Sequence, residues 1–88
     1  MKSIGIELKN ESGLHARPAS LFVSECAKYK ATICIQKNNK EYNGKSILSV
    51  LSLGAVKGDK ITITALGEDE EAALQSLDKL ISGGFGEK

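Results

Sequence analysis

The spacing of apolar residues changes along the chain, and these changes predict where strands and helices lie. Residues 2–8 alternate between apolar and polar side chains, as in a strand with one buried face. From Ala16 the apolar positions recur every three or four residues, which is typical of an amphipathic helix, and Pro18 falls in its first turn, where proline is tolerated. We therefore predict a first strand at 2–8 and a first helix from Ala16 to near Tyr29.

The middle of the chain predicts a β-hairpin followed by a short helix. Residues 31–37 alternate and are rich in β-branched side chains, residues 38–39 are asparagines that can turn, and residues 40–43 can return as a strand. Ser46 can cap the helix that follows, and Gly54 marks its end. The apolar residues of this helix are Ile47, Leu48, Val50, Leu51 and Leu53.

The last third of the chain adds one strand and one helix. Residues 61–65 alternate clearly, and a helix begins at Glu68 with the acidic segment 68–71, where the helix dipole favours negative charge, and ends at the glycines 83–84. Its predicted inward residues are Ala73, Leu74, Leu77, Leu80 and Ile81. The order βαββαβα predicts an α+β fold, an open-faced β-sandwich with a four-stranded antiparallel sheet covered on one face by three helices, formed by residues 1–88 as one domain.

Composition limits the functions open to this chain. Its 88 residues leave room for one core and a shallow surface site. Twelve basic and eleven acidic residues nearly balance, so we expect no direct binding of nucleic acid. No apolar run approaches the ~20 residues of a membrane span, and the N-terminus lacks the apolar segment of a signal peptide. We expect a cytoplasmic monomer without membrane insertion.

The two cysteines do not predict redox or metal chemistry. Cys26 and Cys34 match neither a CxxC pair nor a zinc-ligand spacing, and one histidine is too few to complete a closed metal site. We expect two buried, reduced thiols, no metal and no cofactor.

His15 is the candidate for chemistry, because of its neighbours. It lies at the predicted start of the first helix, where free N–H groups bind anions. Arg17 adds a planar fork of donors that suits phosphate oxygens, and Pro18 fixes the backbone. Imidazole is largely a neutral nucleophile near pH 7, and a phosphoryl group leaves its nitrogen readily. This corner of the chain is therefore predicted to hold a phosphoryl group on His15 for transfer.

The short helix leaves two questions open at this stage. Ser46 is a helix cap, and phosphorylation there would put negative charge beside Lys45 at a helix N-terminus that tolerates it. The helix is also apolar around most of its circumference. Either it is fully buried, or one stripe is left exposed for a partner.

Two segments resemble the HPr family, the histidine-containing phosphocarriers of the bacterial phosphoenolpyruvate-dependent sugar phosphotransferase system. They are residues 13–19, GLHARPA, and residues 45–54, KSILSVLSLG; length and element order also agree from Met1 to about Ile81. The resemblance implies that His15 takes phosphate on Nδ1 from enzyme I and donates it to sugar-specific enzyme IIA domains. It also implies that Arg17 is the active-site arginine.

The same resemblance assigns roles to the surrounding residues. Ser12 and the amides of Ala16 and Arg17 would complete the phosphate cradle. The docking residues would be Lys45, Ile47, Leu48 and Leu51. Ser46 would match the serine phosphorylated by HPr kinase/phosphorylase in many Gram-positive-type bacteria, whose product acts with a catabolite-control transcription factor; enteric-type members keep this serine without that kinase.

Two alternatives remain from the sequence. One is a phosphocarrier of a nitrogen-linked or purely regulatory branch, and the other is a small-molecule-binding regulatory domain, because βαββαβ patterns occur in such modules. The tail at residues 83–88 fits the family only loosely, and no function is assigned to it.

Overall fold

A four-stranded antiparallel sheet with three helices forms the structure. The computed structural model describes residues 1–86, so Glu87 and Lys88, the end of the tail considered above, lie outside the described residues. The elements are β1 Lys2–Glu7, α1 Ala16–Cys26, β2 Thr32–Lys37, β3 Lys40–Asn43, α2 Ile47–Ser52, β4 Lys60–Leu66, α3 Glu70–Ser82 and a 3₁₀ turn at Gly84–Gly86. The strands lie in the order β1-β4-β2-β3, and each neighbouring pair is antiparallel. The predicted fold class and element order are confirmed.

The core lies between one face of the sheet and the helices. Ile33 and Ile35 of β2 point into it together with Ile61 and Ile63 of β4, because alternate side chains of a strand share a face. Of the predicted inward residues of α3, all are buried except Leu80, which is partly buried. This packing fixes the ends of α1 and α2 at the surface of the molecule.

The two cysteines have different environments. Both are free thiols, as predicted, but only Cys26 is buried; Cys34 is half-buried, so the expectation of two buried thiols is wrong for this residue. Cys34 lies on the sheet face that the helices leave uncovered, since Ile33 and Ile35 beside it point into the core. Burial raises the pKa of the Cys26 thiol to about 12, which keeps it protonated and unreactive near neutral pH.

One contact accounts for two differences from the predicted helix boundaries. The carboxylate of Asp69 accepts hydrogen bonds from the backbone N–H groups of Lys30 at 2.7 Å and Ala31 at 2.9 Å. The chain leaves α1 at Cys26, three residues before the predicted end near Tyr29, and turns toward this carboxylate through bonds from the Lys28 and Tyr29 N–H groups to the carbonyls three residues before them. Asp69 becomes the residue before α3, which begins at Glu70 rather than in segment 68–69.

Replacing Asp69 by asparagine should destabilise the fold in a pH-dependent way. The backbone N–H groups of Lys30, which has the larger effect, and of Ala31 hold the pKa of the Asp69 carboxyl below its usual 3.8. A lowered folded-state pKa stabilises the protein above the unfolded-state pKa, and this stability is lost as pH falls through the folded-state value. Urea unfolding of Asp69→Asn should therefore show a lower midpoint than wild type at pH 7, with the difference shrinking below about pH 4.

The matched control is Asp78→Asn, which removes the same charge from an exposed position of α3. An equal loss of stability in both variants, or a difference for Asp69→Asn that persists unchanged to pH 2, would contradict the role given to this contact.

Candidate functional site

The loop that precedes α1 is fixed by the segment that follows α2. Gly13 has φ 60°, and a Cβ built on it would lie 2.5 Å from the carbonyl oxygen of Ala55, so glycine is required both by conformation and by space. The next residue, Leu14, is 1% exposed and donates its backbone N–H to the same Ala55 carbonyl at 3.0 Å. His15 therefore follows a rigidly held residue.

His15 occupies the N-cap position of α1 and is exposed. Its backbone is extended, and within the described chain its side chain makes no capping hydrogen bond, so the imidazole is not occupied by the helix it precedes. The first bond of the helix runs from Ala19 N–H to the His15 carbonyl at 3.4 Å. The amides of Ala16 and Arg17 precede that bond and have no partner inside the helix, and amides in this position can bind an anion.

Ala16 gives this helix start an unusual backbone. Its φ is 34°, in the left-handed region that costs a residue with a side chain roughly 1–2 kcal/mol. The burial of Leu14 before it and of Pro18 after it holds this conformation in place.

Arg17 is tied to the C-terminal tail. Its Nη1 donates to the carbonyl oxygen of Phe85 at 3.1 Å. Phe85 is 1% exposed and belongs to the core, although no pattern in the sequence predicts a role for the tail. Its only sequence feature is that it is a single aromatic residue between glycines.

At the start of α2, Ser46 caps the helix as predicted, whereas Lys45 points away from His15. Ser46 caps α2 by accepting the Ser49 N–H at 3.3 Å, as predicted. Lys45 directs its Nζ to the carbonyl of Tyr29 at 2.6 Å, beyond the C-terminal end of α1. Because His15 lies at the opposite end of α1, the Lys45 ammonium lies remote from it.

The exposed side of α2 resolves the question left by its composition. Val50 and Leu53 are buried, at 0% and 5% exposure. The residues left at the surface are Ile47 at 40%, Leu48 at 75% and Leu51 at 37%. We call these three residues the α2 patch. The helix thus has one buried stripe and one exposed apolar stripe.

The α2 patch lies between Ser46 and the His15 loop. Ser46 begins α2 near the end of α1, whereas the segment after α2 contacts Leu14 through Ala55. The six residues of α2 span about 9 Å at 1.5 Å per residue. Ser46 and His15 therefore lie at opposite ends of the patch.

Val56 is an exposed apolar residue that the sequence analysis missed. It is 57% exposed, and its Cα lies 2.6 Å from the position of a Cβ built on Gly13. Its N–H donates to Asp59 Oδ2 at 2.9 Å, a bond that lowers the pKa of the Asp59 carboxyl together with the nearby Lys37 ammonium. An exposed apolar residue with a hydrogen-bonded backbone thus borders the loop that carries His15.

Residues 1–86 hold no cluster of side chains arranged to bind a metal ion, and none of their helices has the length and apolar character needed to cross a membrane.

The family that matches the chain is the HPr component of the phosphotransferase system (PTS), described by its phosphorylation site, and the match covers residues 2–83. The chain belongs to the HPr family. The HPr of Neisseria meningitidis serogroup A is 40% identical over 82 residues, which cover 93% of this chain and 92% of that protein. The solved structure of HPr-C-His from Thermoanaerobacter tengcongensis has a TM-score of 0.98 and 46% identity, covering 100% of this chain and 99% of that one.

Two further relatives show how the HPr unit is used in other proteins. The multiphosphoryl transfer protein of Haemophilus influenzae is 37% identical over 91% of this chain, and the match spans only 17% of that protein's length. The HPr-like protein Crh of Bacillus subtilis is 40% identical over 72 residues, covering 82% of this chain and 85% of Crh. The HPr family thus includes carriers, larger transfer proteins and HPr-like proteins.

Proposed function

We propose that His15 carries a phosphoryl group from enzyme I to sugar-specific enzyme IIA domains. The observation that carries this proposal is the exposed imidazole at the N-cap of α1, next to two amides without helical partners and to Arg17. A ring nitrogen, Nδ1 by resemblance to the family, forms a bond to phosphorus as the bond between phosphorus and the donor breaks. The amides of Ala16 and Arg17, with Ser12, would hold the phosphate oxygens.

The placement of His15 also fits a carrier better than a small-molecule receptor. The imidazole is exposed at the surface, whereas a shallow depression over β1 and β4 is lined by other residues, including Gly5, Lys60 and Thr62. A carrier must present its reactive atom to two different enzymes in turn, and an exposed N-cap does so without a lid or closure step.

Incubation with enzyme I, Mg²⁺ and phosphoenolpyruvate should phosphorylate the protein on His15. The adduct should be acid-labile and base-stable, as a phosphoimidazole is, and His15→Ala should abolish it. Intact-mass measurement before and after acid treatment checks this. Arg17→Ala should remain folded and accept phosphate more slowly. Labelling that survives in His15→Ala would disprove the proposed carrier site.

We further propose that the α2 patch, with Lys45 at its far end, docks the phosphoryl donor and acceptor enzymes. Three apolar side chains exposed on one short helix give a partner a desolvated contact beside the reactive residue. The segment after α2 contacts the loop that carries His15, through the Ala55 carbonyl and the Leu14 N–H, so a partner seated on the patch would lie close to the imidazole.

Leu48→Ala should weaken docking without changing the fold. Truncating the most exposed residue of the patch should raise the KM for enzyme I by about fivefold, corresponding to ~1 kcal/mol. The control is Leu66→Ala, because Leu66 is also exposed, at 56%, but lies on β4 outside the patch. Equal KM values for wild type and Leu48→Ala, or equal effects of both substitutions, would contradict the proposed docking surface.

A second proposed role is regulation through phosphorylation of Ser46 by an HPr kinase/phosphorylase, linking the protein to a catabolite-control transcription factor. Support comes from the position of Ser46 at the edge of the α2 patch and from the likeness to Crh, whose solution structure is described as the catabolite repression HPr of Bacillus subtilis. A phosphate there adds about −1.5 to −2 charges at the border of an apolar docking surface, which a partner must then desolvate.

Ser46→Asp should slow phosphorylation of His15 by about tenfold, corresponding to ~1.4 kcal/mol, because it places a charge at that border. Ser46→Asn is the matched control, since asparagine has nearly the same shape as aspartate and also caps helices but carries no charge. The rates are measured with enzyme I in excess phosphoenolpyruvate. A similar loss in both variants would show that capping, and not charge, is responsible.

A further inference from the structure

The tail after α3 folds back into the core. Gly83 caps α3, and residues Gly84–Gly86 form a 3₁₀ turn in which the Gly86 N–H donates to the Gly83 carbonyl at 3.3 Å. Phe85, at the centre of the turn, is 1% exposed. Three of these residues lie outside the segment matched by the family, which ends at residue 83.

The backbone of the turn depends on the burial of Phe85. Its φ of 55° and ψ of 27° lie in the left-handed region, which glycine adopts freely but which is sterically unfavourable for phenylalanine. The flanking residues Gly84 and Gly86 also have positive φ, 65° and 75°. The packing of the aromatic ring, together with the Gly86 N–H to Gly83 carbonyl bond, holds this otherwise glycine-rich segment in one conformation.

The turn packs beside the loop that carries His15 and beside the first turn of α1. A Cβ built on Gly84 would lie 3.9 Å from Asn10 Cβ, and one built on Gly86 would lie 3.8 Å from Arg17 Nη2. The Phe85 carbonyl accepts from Arg17 Nη1 at 3.1 Å. Phe85 therefore has both a buried ring, which anchors the turn, and a carbonyl oxygen that accepts a hydrogen bond from Arg17.

We propose that Phe85 is a positioning residue, whose buried ring fixes its carbonyl so that the carbonyl orients Arg17 for the phosphoryl group on His15. This inference rests on the proposed function of His15. Arg17 would touch the phosphate, and Phe85 would act only through Arg17.

A neutral carbonyl suits this task better than a carboxylate. It restricts a long side chain that otherwise loses considerable rotamer freedom when it binds, yet it leaves the positive charge of Arg17 uncompensated. A guanidinium has five donors, and the bond to Phe85 uses one of them. The other donors of the Arg17 guanidinium can therefore serve phosphate oxygens while the Phe85 carbonyl holds the side chain.

The test compares Phe85→Gly with Phe85→Leu in two backgrounds. Phe85→Gly keeps the backbone carbonyl and tolerates positive φ but removes the buried ring. Phe85→Leu keeps a large apolar side chain that can fill the same space. Phe85→Gly should lower kcat for phosphorylation of His15 by about three- to tenfold with little change in KM, and Phe85→Leu should recover most of the rate. In the Arg17→Ala background, Phe85→Gly should cause no further loss.

Two controls separate positioning from stability and from the proposed function itself. Ile33→Val removes one buried carbon from β2, leaves the tail sequence unchanged and should leave kcat unchanged. In ¹⁵N NMR spectra, the guanidinium protons of Arg17 should exchange faster with water in Phe85→Gly than in wild type. This measurement needs no phosphoryl donor, so it tests the tether even if enzyme I fails to phosphorylate His15.

The proposal is overturned by an unchanged or faster kcat in Phe85→Gly, by an equal fold-loss in both Arg17 backgrounds, or by identical guanidinium exchange. If Phe85→Gly does not fold at the assay temperature, Phe85→Ala, which removes the ring without adding a β-branched side chain at positive φ, is measured by the same criteria.

Discussion

The bond from Leu14 N–H to the Ala55 carbonyl, together with the burial of Leu14, is the contact on which the candidate site depends. It fastens the loop before α1 to the segment after α2, so that His15 is exposed although the residue before it is buried. The close approach of Gly13 to the Ala55 backbone is part of the same contact. A reactive residue in a flexible loop would lose conformational freedom in each transfer, and this contact removes that loss before a partner arrives.

The same contact relates the two ends of the α2 patch. Because Ala55 follows α2 directly, the contact with Leu14 sets where the C-terminal end of that helix lies relative to His15. Ser46, at the other end, is separated from the imidazole by the length of the helix. A charge at Ser46 would thus act on His15 through a partner that covers both, since direct interaction between exposed charges separated by about a Debye length is largely screened.

The sequence predicted the elements well because their signals are local. Alternation marked the strands, and capping residues marked α2 from Ser46 to Gly54. The C-terminal end of α1 and the start of α3 were misplaced, and both lie beside the bonds from Lys30 and Ala31 to Asp69, a pairing across almost forty residues that no local pattern reveals. Periodicity likewise does not predict the exposure of the α2 patch, since a six-residue helix has too few turns to define a buried face.

The residues around His15 were predicted from their types, whereas the direction of Arg17 was not. An arginine two residues from a histidine suggests shared chemistry, but its side chain is long enough to reach elsewhere, and here it reaches the Phe85 carbonyl. Glycines on both sides of Phe85 resemble a loose tail in sequence, yet positive φ at Gly84 and Gly86 is what allows the ring to turn back into the core. Gly84 and Gly86 make the tail look unstructured in sequence, yet their positive φ allows the contact between Phe85 and Arg17.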